Sequence, residues 1–402
     1  MSMKTQISKW GAILGAFVIL ALMLASCQPA ATPEATEAAP EVEETAAVGE
    51  PITLPFVGPL TGPDGVDGQG GAKAVELAVN QTNASGGVCG GRQLVYKAHD
   101  TKSDPKEGAN IASLLCGDTS VFGAVADYNS SVALAEAPVF NECKISQVNY
   151  YAAAPDIPKK GGPYTMRVYP PGQNMSIYLA DWMINQKGYK KLAVIYENTD
   201  YGKGLFDAFV AEVEKTDAQI LASEAVLKEQ TDLSAVISKF KSLEPDAIVG
   251  MIQYQVGAYW RMQARDIGWE VPLYGSDGLF APEIIKLAGE AVEGIRTVAA
   301  YSVESTDPIV SAFVKAFREA YGENPNNPAG YAYDASTAII RGLNETNCAS
   351  REALQQWLLA NIKDFKGVTG TITLDEYGER AFAPGMYTPI EIKDGAWVVV
   401  EE

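Results

Sequence analysis

The side chains able to do chemistry are few in this chain of 402 residues, and they are scattered. His99, the one histidine, follows an apolar strand beside Asp100 and has no serine or cysteine motif near it, so a nucleophilic triad finds no support. Gly202-Lys203-Gly204 lacks the rest of a phosphate-binding loop. The cysteines make no CxxC pair and no Cys/His cluster, which argues against zinc; no metal and no cofactor is expected. What remains is binding chemistry, so an enzyme is not expected. Tyr128, Tyr150, Tyr151 and Tyr201 fall at strand ends, where hydroxyls and ring faces can meet a small ligand. Trp182, Tyr259 and Trp260 lie in helical stretches and read as core or lobe surface.

Cys27 offers a different chemistry, acylation. Lys4 and Lys9 precede an uncharged apolar run from Trp10 to Met23, followed by Leu24-Ala25-Ser26-Cys27. A positive start, a short apolar stretch and small residues before a cleavage point make an export signal. The run is shorter than the roughly 20 apolar residues of a membrane span. Leu-Ala-Ser-Cys resembles the bacterial lipobox, whose cysteine takes a diacylglyceryl group and becomes the mature N-terminus. An ordinary secretory signal with a chance cysteine is the alternative. Gln28 to Glu50 holds no aromatic and no basic residue and cannot bury enough apolar surface to offset its ordering entropy. Its prolines and repelling glutamates favour an extended tether. Residues 1–26 are thus expected as a lipoprotein signal peptide, and 27–50 as lipid anchor and disordered acidic linker.

The formal net charge is −19; residues 1–26 carry two lysines and no acid, so the remainder carries −21. That surface argues against nucleic acid and against electrostatic docking on anionic lipid. Membrane contact is expected only through the anchor. Cys89, Cys116, Cys143 and Cys348 allow three disulfide pairings in an exported protein. Cys116 and Cys143 each precede an apolar run, and those two strands would be neighbours in a doubly wound sheet. This favours Cys116–Cys143 and leaves Cys89 with Cys348; four inert buried thiols are the alternative.

Apolar strands (Ile52–Gly58, Leu94–Ala98, Leu192–Tyr196, Ala247–Met251, Leu273–Gly275) alternate with amphipathic helical stretches. The helical stretches include 71–83, one opened by Asp104-Pro105, 204–213, 258–267, 308–321, 329–343 and 351–362. Uninterrupted apolar strands between helices mean parallel sheets covered on both faces. The pattern restarts after the turn-rich 155–171, giving two α/β lobes and a β-rich tail over 371–374, 386–392 and 396–400.

The order and wording of the chain resemble the type I periplasmic binding proteins, specifically the leucine/isoleucine/valine-binding family of ABC importers. The resemblance is carried by Gly58-Pro59-Leu60-Thr61-Gly62-Pro63, Asn83-Ala84-Ser85-Gly86-Gly87, Asp104-Pro105-Lys106, Tyr201-Gly202-Lys203-Gly204, Gln263-Ala264-Arg265, Gly275-Ser276-Asp277-Gly278 and Tyr331-Ala332-Tyr333-Asp334-Ala335. It implies two doubly wound parallel-sheet lobes joined by a three-crossover hinge that closes on a small solute. Lobe 1 would take 51–166 and 301–362, and lobe 2 would take 167–300 and 363–402. By the same resemblance Asp127 stands on a serine that receives an amino acid's carboxylate, and Ala153 on a threonine for the same group. Tyr201 matches a tyrosine that covers the ligand, Gln253 replaces another tyrosine, and Asp277 matches the acid that takes the ammonium. Asp67 comes near an aromatic position.

The ammonium end is thus kept and the carboxylate end altered. An aspartate facing a carboxylate in a low-dielectric cleft would repel it, so a neutral polar, polyhydroxyl or cationic solute suits the set better than a branched-chain amino acid. The alternative turns Asp127 away to cap a helix at 129–131. The resemblance implies a monomeric, lipid-anchored, extracytoplasmic substrate-binding protein that delivers a small solute to ABC permease subunits. A receptor subunit reporting ligand to a membrane sensor is the second reading.

Overall fold

The computed structural model describes residues 49–299, 301, 303–383 and 386–400. The expected signal peptide, Cys27 and nearly all of the expected linker lie outside the described residues. No helix among those described is long and apolar enough to cross a membrane.

Two sheets organise the chain. The first is all parallel, in the order β2-β1-β3-β4-β5. Its strands are β1 (Ile52–Gly58), β2 (Leu94–Asp100), β3 (Gly123–Ala126), β4 (Ser146–Asn149) and β5 (Thr165–Arg167). In the second, β6 (Lys191–Glu197), β7 (Gln219–Val226), β8 (Ala247–Met251), β9 (Leu273–Gly275) and β10 (Arg296–Ala299) are parallel. A hairpin, β11 (Phe365–Gly367) and β12 (Gly370–Ile372), stands apart. Two antiparallel strands, β13 (Thr388–Lys393) and β14 (Ala396–Val399), then extend the second sheet beside β10. β1, β3, β4 and β8 are buried along their whole length, because helices cover both faces of each sheet.

The helices begin where local chemistry starts them. Asp104 accepts from the N–H groups of Lys106 and Glu107, and Pro105 occupies the first turn. Ser350 and Asn326 cap the Arg351–Asn361 and Asn327–Glu345 helices in the same way. The first helix runs Gly65–Ala84, six residues earlier than the sequence suggests. Gly65, Gly68, Gly70 and Gly71 conceal that first turn and a half, since glycine is a poor helix former. Close approach explains them. A Cβ on Gly68 would lie 1.6 Å from the Pro59 carbonyl oxygen, and one on Gly70 would lie 2.1 Å from Asn326 Oδ1. The helix therefore seats directly on the loop that follows β1.

Residues 363–383 differ from the expectation that drew them into lobe 2. Their hydrogen bonds lie with the first lobe. The Arg167 N–H donates to the Gly378 carbonyl, and Arg167 Nε donates to Glu379 Oε1 at 2.7 Å. Asp334 accepts from the Val368 and Thr369 N–H groups at 2.7 and 2.9 Å. Buried Arg167 also donates to the carbonyls of Ala152 and Ala154, at 2.9 and 2.8 Å, and so holds the loop after β4 in place. Disulfides join Cys116 to Cys143 and Cys89 to Cys348, with Cα atoms 5.5 and 5.8 Å apart.

Candidate functional site

Loops at the carboxyl ends of the two sheets meet around a cavity of about 230 Å³. The first lobe lines it with Tyr128, Asn129 and Tyr151, the second with Glu197, Tyr201, Lys228 and Gln253. Asp64 and Lys228 form an ion pair between the lobes, and Asn129 Nδ2 and Ser103 Oγ each donate to Asp64 at 2.8 Å. Gln255 Nε2 donates to the Pro63 carbonyl at 2.6 Å, a second bond across the cleft. The lobes are closed upon each other.

A chain of four tyrosines runs inward from this cavity, which Tyr128 and Tyr151 line. Tyr128 stacks on Tyr151 at 5.0 Å, and Tyr151 meets Tyr169 at 4.7 Å. Tyr169 in turn meets Tyr331 at 4.7 Å. Each is at least nine-tenths buried, which raises its hydroxyl pKa wherever a shift is resolved and keeps it a neutral donor.

Two carboxylates accept from the chain, Asp67 from Tyr128 and Asp277 from Tyr169. The Tyr128 hydroxyl donates to Asp67 Oδ2 at 3.1 Å. Burial, helped by the nearby charge of Asp64, pushes the Asp67 carboxyl up to about 7. The Tyr169 hydroxyl donates to Asp277 Oδ2, and Tyr201 stands 3.4 Å from Oδ1 while sharing a 2.7 Å bond with Ser276 Oγ. Burial also pushes Asp277 up to about 7. Glu197, which accepts from the Gln253 N–H at 2.9 Å, is pushed up to about 7 by burial as well. Among the described residues no lysine or arginine pairs with Asp67 or Asp277; the cleft's ion pair is Asp64–Lys228.

Five residues expected at the ligand do not line the cavity in this closed form: Asp67 and Asp277 stand against its tyrosines Tyr128 and Tyr201, and the other three lie elsewhere. Asp127 is fully buried, and its Oδ1 accepts from the Asn129 N–H at 2.7 Å. It turns down to brace the start of the Ser130–Cys143 helix, and it does not line the cavity. Beside buried Glu136 its carboxyl is pushed up to about 7, mainly by loss of water. Tyr150 packs behind β1, 5.3 Å from Phe56. Ala153 gives its carbonyl to the Gly172 N–H at 2.8 Å. His99 stands in β2, away from the cavity.

Sequence reasoning missed Asp64, Lys228, Glu197, Tyr169 and Tyr331. Two left a signal. Lys228 follows the end of β7, and Tyr169 precedes the stiff Pro170-Pro171 step between the lobes. No group of histidine, cysteine, aspartate and glutamate is arranged to hold a metal among the described residues.

Residues 51–396 match the family described as periplasmic binding protein. A Leu/Ile/Val-binding protein homolog of Brucella melitensis is 27% identical over 335 residues, covering 82% of this chain and 88% of its own. The leucine binding protein LivK of Thermotoga maritima superposes with a TM-score of 0.81 at 24% identity, over 87% of this chain and 98% of that one. A solute binding protein from R. palustris in complex with benzoate gives 0.77 at 20%, over 87% and 95%. With two α/β lobes closed over a small cavity, and the match running through both, the chain belongs to the periplasmic binding protein family: an extracytoplasmic binding protein rather than an enzyme, which takes a small-molecule solute and works with a membrane permease.

Proposed function

We propose that this chain is the lipid-anchored substrate-binding protein of an ABC importer, and that its solute carries a positively charged amino group. The observation that carries the reading is the pair Asp67 and Asp277. Both are buried against tyrosines of the cleft, Asp67 at Tyr128 and Asp277 at Tyr201, and neither has a basic partner among the described residues. A buried carboxylate without a cation is costly to ionise, and a ligand ammonium supplies the missing charge. Asp277 receives that group, with Tyr169 and Tyr201 fixing the carboxylate. Asp67 and Tyr128 receive a second hydrogen-bond donor. The ring faces favour a cation over an anion. The names of the relatives speak of branched-chain amino acids and benzoate, so the family fold does not by itself choose the solute.

A thermal-shift screen over amines, amino acids, amides and polyols tests this. A bound solute at a hundred times its dissociation constant stabilises by about 2.7 kcal/mol. Amine-bearing solutes should raise the melting temperature. Stabilisation by neutral polyols or carboxylates alone would overturn the reading.

A further inference from the structure

A second cavity, of about 530 Å³, lies between the lobes beside the crossover that carries Tyr301. Its walls include Val66 and Phe317 from the first lobe and Phe280 and Trp397 from the second. Phe280 and Trp397 meet edge to face at 5.5 Å. The volume and apolar lining suit a small-molecule pocket. Charged groups on its border are already matched: Lys73 with Glu323 at 2.5 Å, Lys286 with Glu283 at 3.3 Å, and Glu304 with Arg318 at 3.5 Å. Among the described residues, an ionic ligand therefore finds no unmatched charge on that border. Asn327 also lines this cavity and is 7% exposed. Its Nδ2 donates to the Tyr151 hydroxyl at 2.9 Å, but its buried Oδ1 has no hydrogen-bond partner. That oxygen is sealed from solvent, and Asn327 serves here as the link between the cavity wall and Tyr151.

We infer that this cavity is a second ligand site, for an uncharged, largely apolar small molecule. Both lobes build it, so its occupant binds the closed form. Asn327 connects it to Tyr151, which lines the first cavity. Occupancy of either site should then favour the other, and by the same factor in both directions.

Indole, an uncharged and largely apolar bicycle, is the probe, titrated calorimetrically into the full chain. Val66→Trp and Val399→Trp fill the cavity from opposite lobes, at positions 48% and 54% exposed. Each should weaken indole binding at least tenfold, whereas Asp277→Asn in the first cleft should leave it within about threefold. A nuclear Overhauser contact between indole and the Trp397 ring reads the site in the unmodified chain. Absence of that contact, binding kept in both tryptophan variants, or binding lost in Asp277→Asn would each overturn the inference. The last outcome would place indole in the first cleft without touching the case for a cationic solute there.

Discussion

Lys228 of the second lobe rests against Asp64 of the first, and this ion pair spans the closed cleft. Asp64 is 2% exposed and gathers its three donors from two lobes, so the pair is complete only when the lobes meet. Lys228→Met should therefore weaken solute binding by about 1.5–3 kcal/mol, ten- to a hundredfold. Small-angle scattering should show the variant more expanded than the parent at equal solute. Unchanged affinity and radius would mean that the pair forms without holding the lobes.

The amino-group reading makes Asp277 the strongest single contact. Asp277→Ala removes a charge-assisted hydrogen bond and should cost the solute ten- to a hundredfold in affinity, about 1.5–3 kcal/mol. Asp67→Asn should cost less, since Tyr128 keeps an oxygen acceptor there. Calorimetry on both variants checks the order.

Binding should be pH-dependent in a set direction. Asp67 and Asp277 stand near 7 in the solute-free protein, while a bound cation requires them ionised. Affinity should fall as pH drops below 7, by about tenfold per unit for each carboxyl that must lose its proton, and level off above 8. A flat profile between pH 5 and 8 would contradict cation recognition.

Stability of the solute-free protein should run the other way. The folded pKa values of Asp67, Asp127, Glu197 and Asp277 exceed their unfolded ones, so between about pH 4 and 7 the folded state binds more protons. Their contribution is therefore greatest at the acid end of that window and is lost as pH rises through 7. Asp127→Asn keeps an acceptor for the Asn129 N–H and removes a buried acid. It should raise the melting temperature at pH 8, do little at pH 5, and leave solute affinity within about threefold.

Anchoring is tested on the residue itself. Cys27→Ser should block lipid attachment and normal processing. Release of the variant in the usual yield after cleavage before residue 27 would refute the lipobox reading.

Apolar runs gave β1, β8 and β9 to the residue, and the Pro308–Tyr321 helix likewise, because each is bounded by a proline, glycine or turn. The first helix was obscured where glycines serve close packing on Pro59 and Asn326, a need that appears only once the chain is folded. Residues 363–383 were hard to assign because polar groups, Arg167 with Glu379 and Asp334 with Thr369, decide where they pack. In the site, Tyr128, Tyr151 and Tyr201 were legible as strand-end tyrosines and Gln253 through the family resemblance, and the structure brings these four to one cavity. The aim of Asp127 stayed open between the ligand and a helix start, and one backbone N–H two residues on turns it from the cleft. Asp64 and Lys228, 164 residues apart, become partners only through the closure of two lobes.

The bond between Cys89 and Cys348 has a consequence for integrity under proteolysis. It spans 259 residues, and all the parallel strands of the second sheet lie between its ends. A single cut in any exposed loop of that interval divides the chain without separating the fragments. In the oxidising world outside the cytoplasm, a nicked molecule keeps its two halves of the first lobe in one covalent body.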